Sequence, residues 1–461
     1  MTKQLSNSLA HADVSFTLHP YTDARAHEKR GPMIIDHGKG IYVYDETGKE
    51  YIEGLAGLWS VAVGFDEPRL VNVAAEQMAR LPFYHTFTHK AHAPSIRLAE
   101  KIVEMTPELL TRVFFTSSGS EANDTVVKMV WFMNNALGRP EKKKFLARHR
   151  GYHGVTVASG SLTGLPNNHA DFDLPAVLVR HLTCPHMYRS GEAGETESAF
   201  AARLINEAEA AIREEGPETV AAFIGEPLMA AGGVMPPPAG YWRGIEALCR
   251  KYDILLVSDE VINGFGRLGS SFGAVHYGFT PDIMVMSKQL TSSYMPLAAV
   301  AFSEAVYDAI ADNTAKLGTF AHGFTASGHP VATAVALENL KIIEERDLFG
   351  NAARMGKIFQ ERLASLNDHP LVGEVRGAGL IAGIELVADK NTRRAFASPG
   401  KVGAQAVAAA QENGLIARAI GDVVALCPPL IITEDLVHAL VDRLSKSIDE
   451  TMKWRLAENL N

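Results

Sequence analysis

The sequence predicts an α/β protein: a large domain on a parallel or mostly parallel sheet covered by helices, plus a smaller α+β domain assembled from both termini. Three observations carry that prediction. From Arg112 onward, short β-rich runs alternate with longer amphipathic stretches. Those runs are apolar on both faces, as strands buried between helical layers must be. Beyond Pro330 the texture turns helix-rich, with only short apolar runs between.

Composition bounds the function classes. A chain of 461 residues suggests roughly three domain-sized units, fewer if one large core dominates. Lys and Arg number 44 against 53 Asp and Glu, a net charge of −9, which excludes nucleic-acid binding through bulk charge. The hydrophobic share of 47% is ample for a core and excludes disorder. The three cysteines, Cys184, Cys249 and Cys427, are far apart and odd in number, so they form neither a disulfide framework nor a metal knuckle. No apolar run approaches the roughly 18 residues of a membrane span. The start, MTKQLSNSLAHADVSF, lacks the basic-then-apolar pattern of a signal peptide. A cytoplasmic enzyme with neither nucleic-acid nor membrane partners is therefore expected.

Taken in order, the first stretch of about 35 residues has few apolar clusters and reads as an arm. Ile41–Tyr44 and Lys49–Glu53 alternate around the turn-rich Asp45-Glu46-Thr47-Gly48, which predicts a hairpin. Pro94–Met105 carries apolar residues at helical spacing and stops before Pro107. RVFFTSS, KFLARH, AAFIGEP, ILLVSDE, DIMVMSK and LAAVAFS are the strands of the central sheet, with EANDTVVKMVWFMNNALG and YWRGIEALCRKY among the covering helices. VALENLKIIEERDL and the final LVHALVDRLSKSIDETMKWRLAENL read as helices, while LIAGIELV and VVALCPPLIIT suit a small separate sheet. The expected boundaries are 1–75 for the arm and part of the small domain, 76–330 for the large domain and 331–461 for the rest of the small domain.

Sheets of this kind place chemistry at the carboxyl ends of their strands. After RVFFTSS, Gly119-Ser120-Glu121 opens a helix, and free N–H groups at a helix start make an anion site; an ordinary N-cap is the competing reading. After ILLVS comes Asp259-Glu260, and after DIMVM comes Ser287-Lys288. A lysine closing a buried strand tends to lose its proton, and a neutral amine is what Schiff-base chemistry requires. A carboxylate on a neighbouring strand suits a pyridinium nitrogen. A surface lysine at a strand boundary is the bland alternative for Lys288 alone. An anion site, an acid and a lysine at successive strand ends make a far less ordinary coincidence.

Two patterns mislead. Gly264-Phe265-Gly266-Arg267-Leu268-Gly269 matches a dinucleotide fingerprint but leads into a glycine-broken loop rather than a helix, beside two carboxylates. His85, His89 and His92 lie on an extended stretch that splits their directions, and no ligand pattern accompanies them, so no metal is expected.

The ordered motifs SSGSEAND (117–124), RGYHG (150–154), GEP (225–227), SDEVINGFGRLG (258–269), SKQLTSSYMP (287–296), HGFTASGHP (322–330), LIARAIGD (415–422) and CPPLIIT (427–433) run nearly the whole length. With them the chain resembles the class III pyridoxal-phosphate aminotransferases, and among these the ω-transaminases that use amines or β-amino acids with pyruvate. The resemblance implies the fold type I architecture with its seven-stranded-type sheet. It also implies a homodimer or dimer of dimers with each active site at the subunit interface. The implied cofactor is pyridoxal 5'-phosphate, passing through pyridoxamine 5'-phosphate in a ping-pong cycle that yields alanine.

By the same resemblance, Lys288 forms the Schiff base and relays protons, and Asp259 pairs with the ring nitrogen. Val261 packs one ring face; Tyr152 stacks on the other with His153 beside it. Gly119 and Ser120 cradle the phosphate, while Phe324 and Thr325 reach the phosphate of the partner's site. Glu226 matches an acidic position near the cofactor to which no role attaches. Trp59, Phe87, Tyr152 and Ala231 match substrate-pocket positions, and Arg418 matches a mobile arginine that meets a substrate carboxylate. Ala326 stands where many relatives carry tyrosine, and Ala230-Ala231 with Phe87 suggests a roomy apolar pocket for bulky amines. The alternatives are a decarboxylase or aminomutase on the same scaffold, a diamine-, taurine- or β-alanine-specific transaminase, and a non-enzymatic binding protein.

Overall fold

The computed structural model describes residues 8–460. Its strands, in chain order, are β1 (Ile35–Lys39), β2 (Tyr42–Asp45), β3 (Glu50–Glu53), β4 (Leu110–Thr116), β5 (Lys144–Arg148), β6 (Val179–Leu182), β7 (Val220–Gly225), β8 (Leu255–Asp259), β9 (Ile283–Met286), β10 (Ala298–Ser303), β11 (Val372–Ala378), β12 (Ile381–Leu386), β13 (Leu415–Ile416), β14 (Arg418–Ile420) and β15 (Val423–Leu426).

Seven of them form the central sheet, in the order β4-β10-β9-β8-β7-β5-β6. Strand β10 runs antiparallel to both neighbours, while β5, β6, β7, β8 and β9 pair in parallel. Being antiparallel to β10, β4 points the same way as the rest. The carboxyl ends of six strands therefore share one edge of the sheet. Strands β7, β9 and β10 are buried at every position, as expected under helices on both faces. Edge strand β6, VRHL, has two polar residues in four and is partly exposed, so it lacks the double-sided apolar signal that marks the others.

The hairpin read around Asp45 forms as β2 and β3, with Val43 opposite Tyr51. Strand β3 then pairs in parallel with β13, Leu415 opposite Ile52, which ties the first part of the chain to the last. A second small sheet runs β11-β12-β15-β14 and uses both apolar runs noted in the sequence. The arm before β1 carries two short helices, Leu9–Phe16 and Ala24–Arg30, neither with a buried residue.

Candidate active site

Beyond β4 the chain turns into the helix Gly119–Ala136. The Ser118 hydroxyl accepts from the Glu121 N–H at 3.2 Å, and the Glu121 carboxylate accepts from the Ser117 N–H at 2.7 Å. This reciprocal cap satisfies the flanking donors. The N–H groups of Gly119 and Ser120 belong to the first turn, which has no helix carbonyl to bond. A Cβ on Gly119 would meet Val261 at 3.3 Å, so glycine lets the two segments close over the helix start. Small residues at this turn, free N–H groups at the helix start and the helix dipole together make a cradle for a dianion.

Strand β8 delivers Asp259 to the same edge, buried at 3% exposure. Its Oδ2 accepts from Asn123 Nδ2 at 3.0 Å and lies 2.8 Å from His153 Nδ1, and its Oδ1 accepts from the Val261 N–H at 3.2 Å. Asn123 Nδ2 also donates to the His153 carbonyl at 2.6 Å, locking the three groups together. With the carboxylate as acceptor, the shared proton sits on His153 Nδ1, and Nε2 of that ring is buried without a partner among the described residues.

Lys288 lies one residue past β9, at φ +45°, an uncommon backbone for a residue with a Cβ. The turn is held from below. Gln289 Nε2 donates to the Ile262 carbonyl at 2.9 Å, and Asn339 Nδ2 donates to the Gln289 and Leu290 carbonyls at 2.7 and 3.1 Å. Burial pulls the Lys288 amine down to about 8, against the opposing pull of Asp259 and Glu226. Desolvation wins, and a neutral amine becomes accessible near neutrality.

Glu226, at the end of β7, accepts from the Tyr152 N–H and the Ala230 N–H, each at 3.0 Å. Its carboxyl is raised by burial. It joins the loop that carries Tyr152 to the loop that carries Ala231. Tyr152 is raised as well, by desolvation first and then by Tyr21, whose hydroxyl it meets. Trp59 is buried in a turn where Ala56, Gly57 and Trp59 all have positive φ. The Glu53 carboxyl braces that turn by accepting from the Leu55 N–H at 2.9 Å, and burial lifts it to about 7.

These elements enclose a cavity of about 220 Å³ lined by Trp59, Gly119, Ser120, Tyr152, His153, Glu226, Ala231, Asp259, Val261, Lys288 and Arg418. Eleven of the residues singled out from the sequence thus converge. Arg418, on β14, has no carboxylate partner among the described residues. Phe87, Phe324 and Thr325 do not line this cavity. Phe87 instead borders a separate surface cleft with Gly323, where a Cβ would collide with the Phe87 ring.

Tyr21, Leu58, Asn123 and Leu165 also line the site and were not singled out. Asn123 had a signal: an amide on the buried face of a helix that opens on an anion site. Tyr21 had none, because only the fold-back of an exposed arm brings it there. The decoys resolve simply. Residues 264–269 are turns, with no helix before Gly273, and His92 caps the helix Ala93–Met105 by accepting from the Ser95 N–H at 3.3 Å.

The residues present fit pyridoxal phosphate. The cradle of Gly119 and Ser120 suits the phosphate, and Val261 and Tyr152 offer apolar and aromatic walls. Asp259 retains acceptor capacity, since three donors occupy a carboxylate with about four lone-pair sites.

A model of the class III aminotransferases matches residues 24–448. Tomato (Solanum lycopersicum) mitochondrial gamma aminobutyrate transaminase 1 is 48% identical over 437 residues, spanning 95% of this chain and 85% of its own. The ω-transaminase of Pseudomonas jessenii, solved in complex with PMP, is 57% identical with a TM-score of 0.96, covering 97% of this chain and 99% of its own. A thermostable ω-transaminase variant engineered for the synthesis of enantiopure bulky amines is 58% identical, also at 0.96, covering 97% and 100%. The fold is therefore fold type I, and pyridoxal phosphate is the cofactor of the reaction. With its sheet-edge cavity and a match over most of its length, the chain belongs to the class III aminotransferases.

Proposed function

We propose that this aminotransferase moves an amino group from a primary amine or an ω-amino acid to pyruvate, releasing alanine, in two half-reactions that share one cavity. The observation that carries the reading is Lys288: a half-buried amine just past a strand end, lining the cavity with Asp259 and lowered to about 8 by burial.

When bound, pyridoxal phosphate supplies the electron sink that lets nitrogen leave one carbon and join another. The Gly119 and Ser120 N–H groups would hold its phosphate, Asp259, kept in place by Asn123 and His153, would accept the ring N–H, and Tyr152 and Val261 would offer the walls that pack against it. Lys288 Nζ would be the nucleophile that holds the cofactor, and its neutral amine is placed to serve as the general base and acid that moves the proton of the donor carbon. Trp59 and Leu165 form the apolar side of the cavity, and Ala231 leaves room for a bulky group. Arg418, without a carboxylate partner among the described residues, meets the carboxylate of pyruvate or of an ω-amino acid.

In this reading two copies of the chain assemble so that Phe87, Phe324 and Thr325 of each complete the other's cavity. Their position outside the single-chain cavity supports it, as does the half-exposed aromatic surface of Phe83, Tyr84 and Phe87. The division at 75 and 330 belongs to the same reading, with the β3–β13 pairing in support of a small domain drawn from both termini. A γ-amino acid as donor is the second reading, favoured by Arg418, which has no carboxylate partner among the described residues, and by the names of the plant relatives.

The test is a visible spectrum of the holoenzyme titrated with 1-phenylethylamine and then with pyruvate. Loss of the cofactor band on amine addition and its return with pyruvate are expected. A band indifferent to both simple amines and ω-amino acids, or carbon dioxide released in place of nitrogen transfer, would move the function to the decarboxylase or aminomutase alternatives.

A further inference from the structure

We propose that the amino-terminal arm carries a divalent-cation site of the two-histidine, one-carboxylate kind, formed by Asp13, His19 and His27, which takes Zn²⁺ and clasps the arm so that Tyr21 stays at the cavity wall. The three residues come from three pieces of the arm. Asp13 lies in the helix Leu9–Phe16, His27 in the helix Ala24–Arg30, and His19 in the connection between them. Both imidazoles aim Nε2 at one carboxylate: His19 lies 2.8 and 2.9 Å from Asp13 Oδ1 and Oδ2, and His27 lies 2.8 Å from Oδ2. The rings sit 4.2 Å apart, and one ligand atom from each residue lies within 4.8 Å of the other two.

Tetrahedral zinc with bonds of about 2.0–2.2 Å holds its ligand atoms ~3.3 Å apart. The two histidine–carboxylate contacts must therefore open by only about half an ångström, and the two Nε2 atoms, already within 4.8 Å, settle to the same spacing. The arm can give that much, because neither helix buries a residue. Nearby charges are already engaged elsewhere. The Asp23 carboxylate accepts from the Arg25 and Ala26 N–H groups, and Arg30, which shares a surface hollow with both histidines, directs its guanidinium to Gln411 Oε1. On binding, each neutral imidazole, which donates Nε2–H to Asp13 in the metal-free arm, changes tautomer: Nε2 gives its proton to solvent as Nδ1 takes one up, and the freed Nε2 lone pair goes to the metal, with water in the fourth position. Borderline nitrogen and oxygen ligands select zinc-like cations over magnesium or calcium.

The consequence for the cavity follows from Tyr21, two residues beyond His19. Its hydroxyl accepts from Asn168 Nδ2 at 2.6 Å and bonds the Tyr152 hydroxyl. This second half of the proposal rests on the reading of the cavity as the active site; cation binding does not.

Holoenzyme stripped of metal by chelation and titrated with Zn²⁺ in a calorimeter tests the site without reference to activity. One equivalent per chain is expected, at least tenfold weaker in His19→Gln and in His27→Gln and unchanged in His11→Gln. Zn²⁺ should also slow tryptic cleavage after Arg25 and Arg30. Absence of saturable binding, or binding that survives both His19→Gln and His27→Gln, overturns the site. Binding that leaves cleavage unchanged overturns the clasp.

Discussion

Removing Lys288 from water has a measurable price in protons. Its amine is lowered from an ordinary 10.5 to about 8 by burial. At about pH 7.5 an amine titrating at 8 is roughly one-quarter neutral, while one titrating at 10.5 is roughly one-thousandth neutral, a difference of ~250-fold in available nucleophile. Apoenzyme mixed with excess pyridoxal phosphate should therefore regain its visible band at a rate that rises with pH and levels off near 8. The same shift is a stability statement. Between about 8 and 10.5 the unfolded chain binds a proton that the folded chain does not, so this lysine's contribution to stability improves as pH rises through that window. Below it, burial of the amine costs on the order of 3 kcal/mol. Lys288→Met apoenzyme should accordingly melt higher than unaltered apoenzyme near neutral pH, with the gap closing toward pH 10.5. A reconstitution rate still rising steeply at pH 10, or a Lys288→Met protein that regains the band, would refute the reasoning.

Three further outcomes are expected. Asn123→Leu removes the donor to Asp259 and leaves the His153 carbonyl unpaired, a loss of about 2–4 kcal/mol; cofactor should be lost on dialysis at least tenfold faster, which absorbance of the retained protein checks. Arg418→Leu should raise KM for pyruvate and for ω-amino acids by about 10- to 100-fold through loss of a charge-assisted pair, while the half-reaction with 1-phenylethylamine, followed by stopped flow, stays within about threefold. Glu53 is raised from 4.5 to about 7, so the stability it contributes is complete below 4.5 and lost as pH rises through 7. In Glu53→Gln, the fall in melting temperature across that window should flatten.

Much of the site was legible in the sequence for a local reason. In a mostly parallel sheet the functional side chain follows directly on its strand, so strand, turn and residue are contiguous: FFTSSGS, LLVSD and VMSK each announce Gly119, Asp259 and Lys288. Periodicity likewise predicted the β2–β3 hairpin and the helix before Pro107, because both are settled by neighbours in the chain. Strand β6 escaped because a partly exposed edge needs no double apolar pattern. Tyr21 escaped because its place depends on the arm folding back some 130 residues along the chain to meet Tyr152 and Asn168. Only the tertiary structure separated Phe87, Phe324 and Thr325 from the cavity that the other residues share, since spacing along a chain carries no information about which surface a loop faces. Only it brought Asp13, His19 and His27 onto one carboxylate. What sequence determines alone is the chemistry that each strand delivers to its end; burial, which decides the charge on that chemistry, arises when distant segments close over it.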